Sequence, residues 1–381
     1  MSDTGLANGP GAASRRRFSL SGWRNRLVAS PGFQSLASRF LLTRGIARRE
    51  GEAMFDLVAG FVHSQMLMAL VELGVLDTLL DGPQSVKALA HRHGLPADRM
   101  EILTQAGAAL GLLSRKGDRV SLTRRGAALL GVPGLQAMIR HHRVLYRDLE
   151  NPVAFLRGET RPELAGFWPY VFGPGAEIDP EDAERYSQLM ADSQALVAEE
   201  TLRAVSFHDT RSLIDVGGGT GVFLAAVARA NTALTGTLFD LPEVAAQAAA
   251  RFAREGLSER LSAMSGSFRT DPLPEGADTI SLVRVLYDHA DATVESLLAT
   301  VFSALPPGGR VVVSEPMSGG AHPDRATDTY FALYTLAMGT GRTRSAARIC
   351  EFLLAAGFSD ARQRRTHRPF VTSVVTAIKP A

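Results

Sequence analysis

Hydrophobic and polar positions divide the chain into stretches of different period. Glycine, alanine and serine from Met1 to Ser14 show no period and predict a disordered start, and a helical period sets in after Glu50. From Leu73 the runs LGVLDTLL, SVKALAHRHGL, PADRMEILTQAGAALGLL and SRKGDRVSLTRRGAALL predict helices followed by a short hairpin that turns at Lys116-Gly117-Asp118, the order of a winged helix. Residues 132–207 read as helical, interrupted by Tyr146, Phe155, Phe167, Trp168, Tyr170 and Phe172, and predict a bridge. After Thr210 short β-rich runs (SLIDVG, TGTLFDL, LSAMSGS, TISLVRVL, RVVVSEP, VTSVVTAIK) alternate with alanine-rich helices. That alternation specifies a doubly wound α/β sheet with its ligand site beyond the carboxyl ends of the strands, the last strand being open to an antiparallel placement. The expected segments are an arm (1–50), a winged-helix domain (51–145), a helical bridge (146–207) and a Rossmann-like domain (208–381).

Composition narrows the use of this fold. With 381 residues, 45% of them hydrophobic, the chain has enough apolar material for two domains. A lone Cys350 permits neither an intramolecular disulfide nor a thiolate metal cluster, so a reducing, cytoplasmic setting and no metal are expected. The apolar stretch from Ala53 to Leu76 is broken by Asp56, His63, Gln65 and Glu72, so a packed helix is expected there and not a membrane span. Recurring arginines in the first residues leave no room for a secretion signal.

Net charge is +2, but residues 1–50 hold nine arginines against Asp3 and Glu50, a local +7 that leaves −5 for the rest. Arg15, Arg16, Arg17, Arg24 and Arg26 alternate with Phe18, Leu20, Trp23 and Leu27, and Phe33, Leu36, Phe40 and Leu41 follow. This mixture suits peripheral contact of residues 15–49 with an anionic membrane; a solvated or subunit-crossing arm is the plainer alternative. In the winged helix, the helix that would read DNA carries only Asp98, Arg99 and Glu101 before an Ala, Gly and Leu run, too little positive charge for nucleic acid; packing or dimerisation is its expected use.

The string Leu213-Ile214-Asp215-Val216-Gly217-Gly218-Gly219-Thr220-Gly221 joins an apolar strand, an acid and a glycine cluster to a helix from Val222 to Ala230. Glycines admit close backbone approach, and the following helix offers free N–H groups. The dinucleotide fingerprint fails at Val222, and the phosphate-loop pattern lacks its lysine. A second acid, Asp240, ends the next strand, where a carboxylate can accept from both ribose hydroxyls. Acids at both strand ends match adenosine with a cationic amino-acid tail, Asp215 lying near the ammonium.

The winged-helix segment, DVGGGTG, LFDLP, VLYDHAD and RVVVSEP occur in the order of the plant-type O-methyltransferase family, which the chain resembles over roughly residues 55–360. Within that family, FSLSGWRNRLVASPGF and HRVLYRDLENPVAFLRGE are similar to the carotenoid branch. The resemblance implies a homodimer, the methyl donor S-adenosylmethionine with S-adenosylhomocysteine as product, and a hydrophobic acceptor: the tertiary C-1 hydroxyl of an acyclic hydroxycarotenoid. It places Asp215, Gly217 and Gly219 around the methionyl part of the cofactor and Asp240 with Leu241 at the ribose. Ser267 and Phe268 fall at the adenine, with Ser267 where relatives carry an acid. It adds Arg284 to the cofactor wall, and Met190 and Ser193 on the bridging helix that closes over it.

Methyl transfer is an in-line displacement in which the acceptor oxygen must be positioned and desolvated, usually beside a base. The family's base is a histidine in a Leu-His-Asp string, and this chain has Leu286-Tyr287-Asp288-His289. Tyr287 is therefore expected to orient the acceptor, with Asp288 or His289 receiving the proton late or water doing so. Glu315 resembles the acid that flanks the base, while a second acid of the family falls near Thr343 and is absent. Tyr330, Leu333, Tyr334, Ala337 and Met338 share one face of a helix predicted over Asp324 to Met338; with His141 and His142 they are candidate walls of an apolar acceptor pocket, or simply core. Two other readings are methylation of another hydrophobic pigment, such as a bacteriochlorophyll precursor, and a cofactor-sensing winged-helix regulator.

Overall fold

A computed structural model describes residues 20–167 and 193–381, in two compact units that comprise residues 1–67 and 68–381. In the second unit the apolar runs after Thr210 become β4 (Ser212–Val216), β5 (Thr235–Asp240), β6 (Leu261–Ser265), β7 (Thr279–Val283), β8 (Arg310–Glu315) and β10 (Ser373–Ile378). With β9 (Ser359–Arg364) they form a seven-stranded sheet in the order β6-β5-β4-β7-β8-β10-β9. β4 is parallel to β5 and β7, β5 to β6 and β7 to β8, whereas β10 runs antiparallel to both neighbours. The Rossmann-like α/β expectation holds, including the reversed last strand.

Sequence reading passed over one strand, β9 (Ser359–Arg364). It is SDARQR, an edge strand with no buried residue, so it carries no hydrophobic alternation to detect. The central strands β4, β7 and β8 are buried along nearly their whole length, as helices on both faces require. Strand order reverses between β4 and β7, and the crevice at such a reversal is where doubly wound sheets bind ligands. Asp215, Asp240, Arg284 and Glu315 all stand at or just beyond the carboxyl ends of these strands.

Ahead of the sheet, α4 (Val75–Thr78), β1 (Gln84–Ser85), α5 (Val86–Arg92), α6 (Ala97–Ala109), β2 (Leu113–Lys116) and β3 (Arg119–Leu122) give the expected winged helix, β3 lying between β1 and β2. Lys116 pairs with Arg119, so Gly117 and Asp118 make a two-residue turn, with Gly117 at φ 62°. α7 (Arg124–Gly131) and α8 (Leu135–Asp148) follow. Residues 68–381 form one compact unit.

The bridge is anchored to the sheet by buried polar contacts. In the helix through 193–204, Glu200 has no exposed surface; it accepts from Arg368 Nε at 2.7 Å and from the backbone N–H groups of His367 and Arg368 at 3.0 and 2.9 Å. Thr201 Oγ1 lies 2.6 Å from Ser314 Oγ on β8. These contacts set the position of Ser193, at the other end of that helix.

In the first unit the expected ordered start near Glu50 is corrected. α1 (Leu20–Val28) and α2 (Pro31–Arg39) precede it, α2 being opened by Ser30, whose hydroxyl accepts from Phe33 N at 3.3 Å, with Pro31 in the first turn. α3 (Arg44–Glu72) runs through the boundary expected at Glu50, because Ala47, Arg48, Arg49, Glu50 and Glu52 are strong helix formers. By length and composition alone α3 is long and apolar enough to cross a membrane. Leu20, Trp23, Leu36, Phe40, Leu41 and Leu42 are exposed, as are Met54, Phe55, Leu57, Val58 and Phe61 on α3.

Glu200→Ala is expected to lower unfolding free energy by about 3 kcal/mol, the usual effect of stripping one partner from a buried ion pair, read from the urea midpoint. Burial raises the Glu200 pKa, but the Arg368 hydrogen bond and the two backbone donors outweigh it and hold the group below its ordinary value. Its contribution is accordingly present above the unfolded carboxylate pKa and disappears as pH falls through the lower folded value; the wild-type and Glu200→Ala midpoints should converge in acid.

Candidate active site

The glycine loop follows β4 because its backbone takes a shape that side chains disfavour. Gly217 and Gly219 have φ of 66° and 60°. A Cβ on Gly218 would lie 2.4 Å from Asp215 Oδ2 and 2.8 Å from Leu238 Cδ1, so the loop rests directly on the acid beneath it. Asp215 has no exposed surface; its Oδ1 accepts from Ser281 Oγ on β7 at 2.6 Å, and its Oδ2 has no hydrogen-bond partner. Burial pushes its pKa up to about 7, with Ser281 opposing and Asp240 adding to the rise. Ser281 was not legible as a site residue, since a serine inside an apolar strand gives no signal of what it faces.

Asp240 closes β5 and meets the same loop. Its Oδ2 accepts from Gly219 N and its Oδ1 from Leu241 N, both at 2.8 Å. Burial raises its pKa to about 6, against the pull of those two donors. Each oxygen keeps a lone pair for a further donor, which is what ribose hydroxyls supply. Leu241 stands partly buried ahead of Pro242 and the helix Pro242–Arg254. Two acids, one with an unpartnered buried oxygen, and a loop free of lysine and arginine fit a cationic nucleoside and repel a phosphate.

Beyond β6, Ser267 caps its own turn, its Oγ accepting from Arg269 N at 3.3 Å and its N–H donating to Asp271 Oδ2 at 2.7 Å. Phe268 packs edge-on against His289 with ring centroids 5.3 Å apart. His289 Nδ1 lies 3.1 Å from Arg269 Nη2, and burial followed by the charges of Arg269 and Arg344 lowers its pKa to about 4. The His289 ring is thus neutral near pH 7 and turned to Phe268 and Arg269, on the side of the proposed adenine cover. Arg269 is a neighbour that sequence reasoning missed.

The opposite wall is built around Tyr287, in the short 3₁₀ turn Leu286–Asp288 after β7. Tyr287, Asp288 and Glu315 are all buried. Arg284 Nε donates to Tyr287 Oη at 3.2 Å, and Arg284 Nη1 to Ser193 Oγ at 2.7 Å. Arg284, Ser193 and Tyr287 are therefore brought together, whereas Met190 lies outside the described residues. Arg284 adopts φ 60°, a left-handed conformation unusual for a side chain that size, and this turns the chain so that the guanidinium faces the bridge. Burial lifts the Tyr287 phenol well above its ordinary range, only partly offset by Arg284. Glu315 Oε2 accepts from Tyr287 N at 3.1 Å, its Oε1 has no partner, and burial raises its pKa to about 7.

On the acceptor side, His142 Nε2 meets Tyr330 Oη at 2.7 Å and His141 Nε2 meets Tyr334 Oη at 2.9 Å, while the two tyrosine rings stack at 5.9 Å. Burial lowers both histidine pKa values, that of His141 to about 4 with the neighbouring His142 adding to the effect. The segment expected as one helix begins as a π-helix over Ala326–Phe331 before an α-helix over Ala332–Ala337. Tyr334 and the fully buried Met338 join Val144, Leu145, Phe155 and Leu164 in a packed cluster, and Tyr330 and Leu333 stay partly exposed beside it.

Known proteins resemble this chain in sequence and fold. A family profile described as the O-methyltransferase domain matches residues 146–359, and one described as the O-methyltransferase dimerisation domain matches residues 55–131. The demethylspheroidene O-methyltransferase of Cereibacter sphaeroides is 58% identical over 97% of each chain. Its counterpart in Rhodobacter capsulatus is 55% identical over 92% of this chain and 88% of that one. Among solved structures, human N-acetylserotonin methyltransferase in complex with SAM superposes with a TM-score of 0.73 at 26% identity, covering 87% of this chain and 98% of the other. The chain belongs to the O-methyltransferase family, as an S-adenosylmethionine-dependent methyltransferase domain preceded by that family's dimerisation domain.

Proposed function

We propose that the chain transfers the methyl group of S-adenosylmethionine to the tertiary C-1 hydroxyl of an acyclic hydroxycarotenoid of the demethylspheroidene or 1-hydroxyneurosporene type. The observation that carries this reading is the near full-length identity of 58% to a relative named for that acceptor. The reacting turn supports it independently. An acidic acceptor such as a phenol profits from a base, but the turn offers a buried Tyr287 whose phenol stays protonated and accepts from Arg284. A tertiary alcohol is itself neutral at any working pH, so a group that orients it serves better than one that ionises it.

When bound, the cofactor supplies an electrophilic methyl on a sulfonium. Asp215 and Asp240 hold that cation by charge and by ribose hydrogen bonds; Ser193, through Arg284, ties the bridging helix to the turn. Tyr287 orients the acceptor oxygen and Asp288, beside it, takes the proton late or passes it to water. The apolar surroundings of Tyr330 and Tyr334 exclude water from the oxygen. We further propose that residues 20–49, with six arginines and no acid, rest on the anionic cytoplasmic surface of the membrane that dissolves the carotenoid.

Asp240→Asn is expected to weaken S-adenosylmethionine binding by about 2 kcal/mol, roughly thirtyfold by calorimetry, with the fold intact. With Asp240 raised to about 6 and Asp215 to about 7, cofactor affinity should fall as pH drops through that range. Ligand-free stability has the opposite sign: the native state binds more protons between the unfolded value near ~3.9 and those raised values, so the thermal midpoint should decline as pH rises through that window, and cofactor should flatten the decline. Tyr287→Phe should cost turnover no more than about tenfold with an unchanged pH profile; a loss of ~10³ would identify a phenolate base instead. Removing residues 1–43 should spare activity on detergent-dispersed carotenoid and reduce it on acidic-lipid vesicles, and equal loss in both would end the membrane proposal.

A further inference from the structure

Four consecutive carbonyls of the reacting turn are held by one short loop, residues 340–344. Arg344 Nη1 donates to Leu286 O at 2.9 Å, Arg342 N to Tyr287 O at 2.7 Å, Thr340 Oγ1 to Asp288 O at 3.0 Å, and Arg344 Nη2 to His289 O at 2.7 Å. The N–H side is held from elsewhere: Glu315, at the end of β8, accepts from Tyr287 N at 3.1 Å. A turn whose four carbonyls are all engaged has little local freedom left.

Arg344 is an unusual residue for this task. Only 3% of it is exposed, and Asp291 Oδ1 accepts from its Nε and Nη2 at 2.9 and 2.7 Å, which balances the buried charge and aims the fork at the turn. The loop is also packed without slack: a Cβ on Gly341 would lie 3.0 Å from Tyr287 O and 2.8 Å from Thr335 O. It begins where the acceptor-side helix ends, directly after Met338, so the wall of the acceptor pocket and the reacting turn are joined through it.

We propose that Arg344 and Thr340 are positioning residues of methyl transfer, forming a clasp that fixes where Tyr287 and Asp288 stand relative to the acceptor oxygen. The clasp occupies the place of the absent second acid: Thr343 sits in it and bonds Ser318 Oγ. Here, then, the loop contributes geometry to the reaction and no carboxylate. The inference rests on the proposed acceptor only for its kinetic readout.

The test uses the full chain with Arg344→Gln and, as a gentler change, Thr340→Val. The expected result is a fall in kcat of about a hundredfold for Arg344→Gln and about fivefold for Thr340→Val, the scale of a misplacement near 1 Å or less. S-adenosylmethionine affinity should stay within about twofold, because the cofactor's acids lie on β4 and β5. Amide hydrogen exchange should quicken in the peptide covering 286–291 and not in the one covering 213–221. Unchanged exchange at 286–291 in either folded variant overturns the clasp whatever the acceptor, as does a loss of cofactor affinity in step with kcat. Should Arg344→Gln not fold, Thr340→Val decides alone. A wild-type enzyme inactive on the carotenoid would refute the acceptor and leave the exchange result to judge the clasp.

Discussion

Acidic side chains buried at the tips of parallel strands are what the site depends on. Asp215, Asp240 and Glu315 end or nearly end β4, β5 and β8, and burial raises the pKa of each. Enclosed carboxylates demand donors or a cation, and backbone N–H groups meet only part of that demand. At β4 and β5 the remainder is what the proposed contacts to a cationic nucleoside would meet. At β8, Glu315 accepts from the N–H of Tyr287, in the turn, and its Oε1 has no hydrogen-bond partner. The same electrostatic requirement thus creates the cofactor site and anchors the reacting turn beside it.

The departure of this turn from the family's usual base changes how the rate must be supplied. A protonated phenol under an arginine cannot draw a proton away, so positioning and desolvation carry what a base would otherwise contribute. That demand accounts for the unusual investment in rigidity around residues 286–289. Arg284 holds a left-handed backbone, the bridging helix is tied to the sheet through Glu200 and Thr201, and the carbonyls of the turn are taken up one by one. His289, the other imidazole within reach of the turn in sequence, is turned toward Phe268 and Arg269 and kept neutral.

The two units divide the work by solvent. Residues 68–381 bury Asp215, Tyr287, Asp288 and Glu315, while the helices over residues 20–67 carry exposed apolar side chains among arginines. Exposed apolar side chains are costly in water, and the profile that matches the dimerisation domain begins inside α3, at residue 55. Residues ahead of 55 lie outside that profile, and the α3 surface from Phe55 to Phe61 falls within it.

The amino-acid sequence alone determined the alternation of strands and helices, the winged helix, the glycine loop between two acids and the replacement of the family's base by Tyr287. Those features are local: they rest on period, on turn residues and on the order of neighbours along the chain. It could not show β9, whose edge position leaves it polar, nor that helix begins as early as Leu20, ahead of the period that sets in after Glu50. Tertiary structure alone decided which way His289 turns, that Asp215 leans on Ser281, that Met338 is packed in a core, and that Arg344 lies buried against the reacting turn. An arginine in a loop reads as solvated until the fold closes over it. Its role follows from partners more than fifty residues away in the chain, and no pattern of neighbours encodes them.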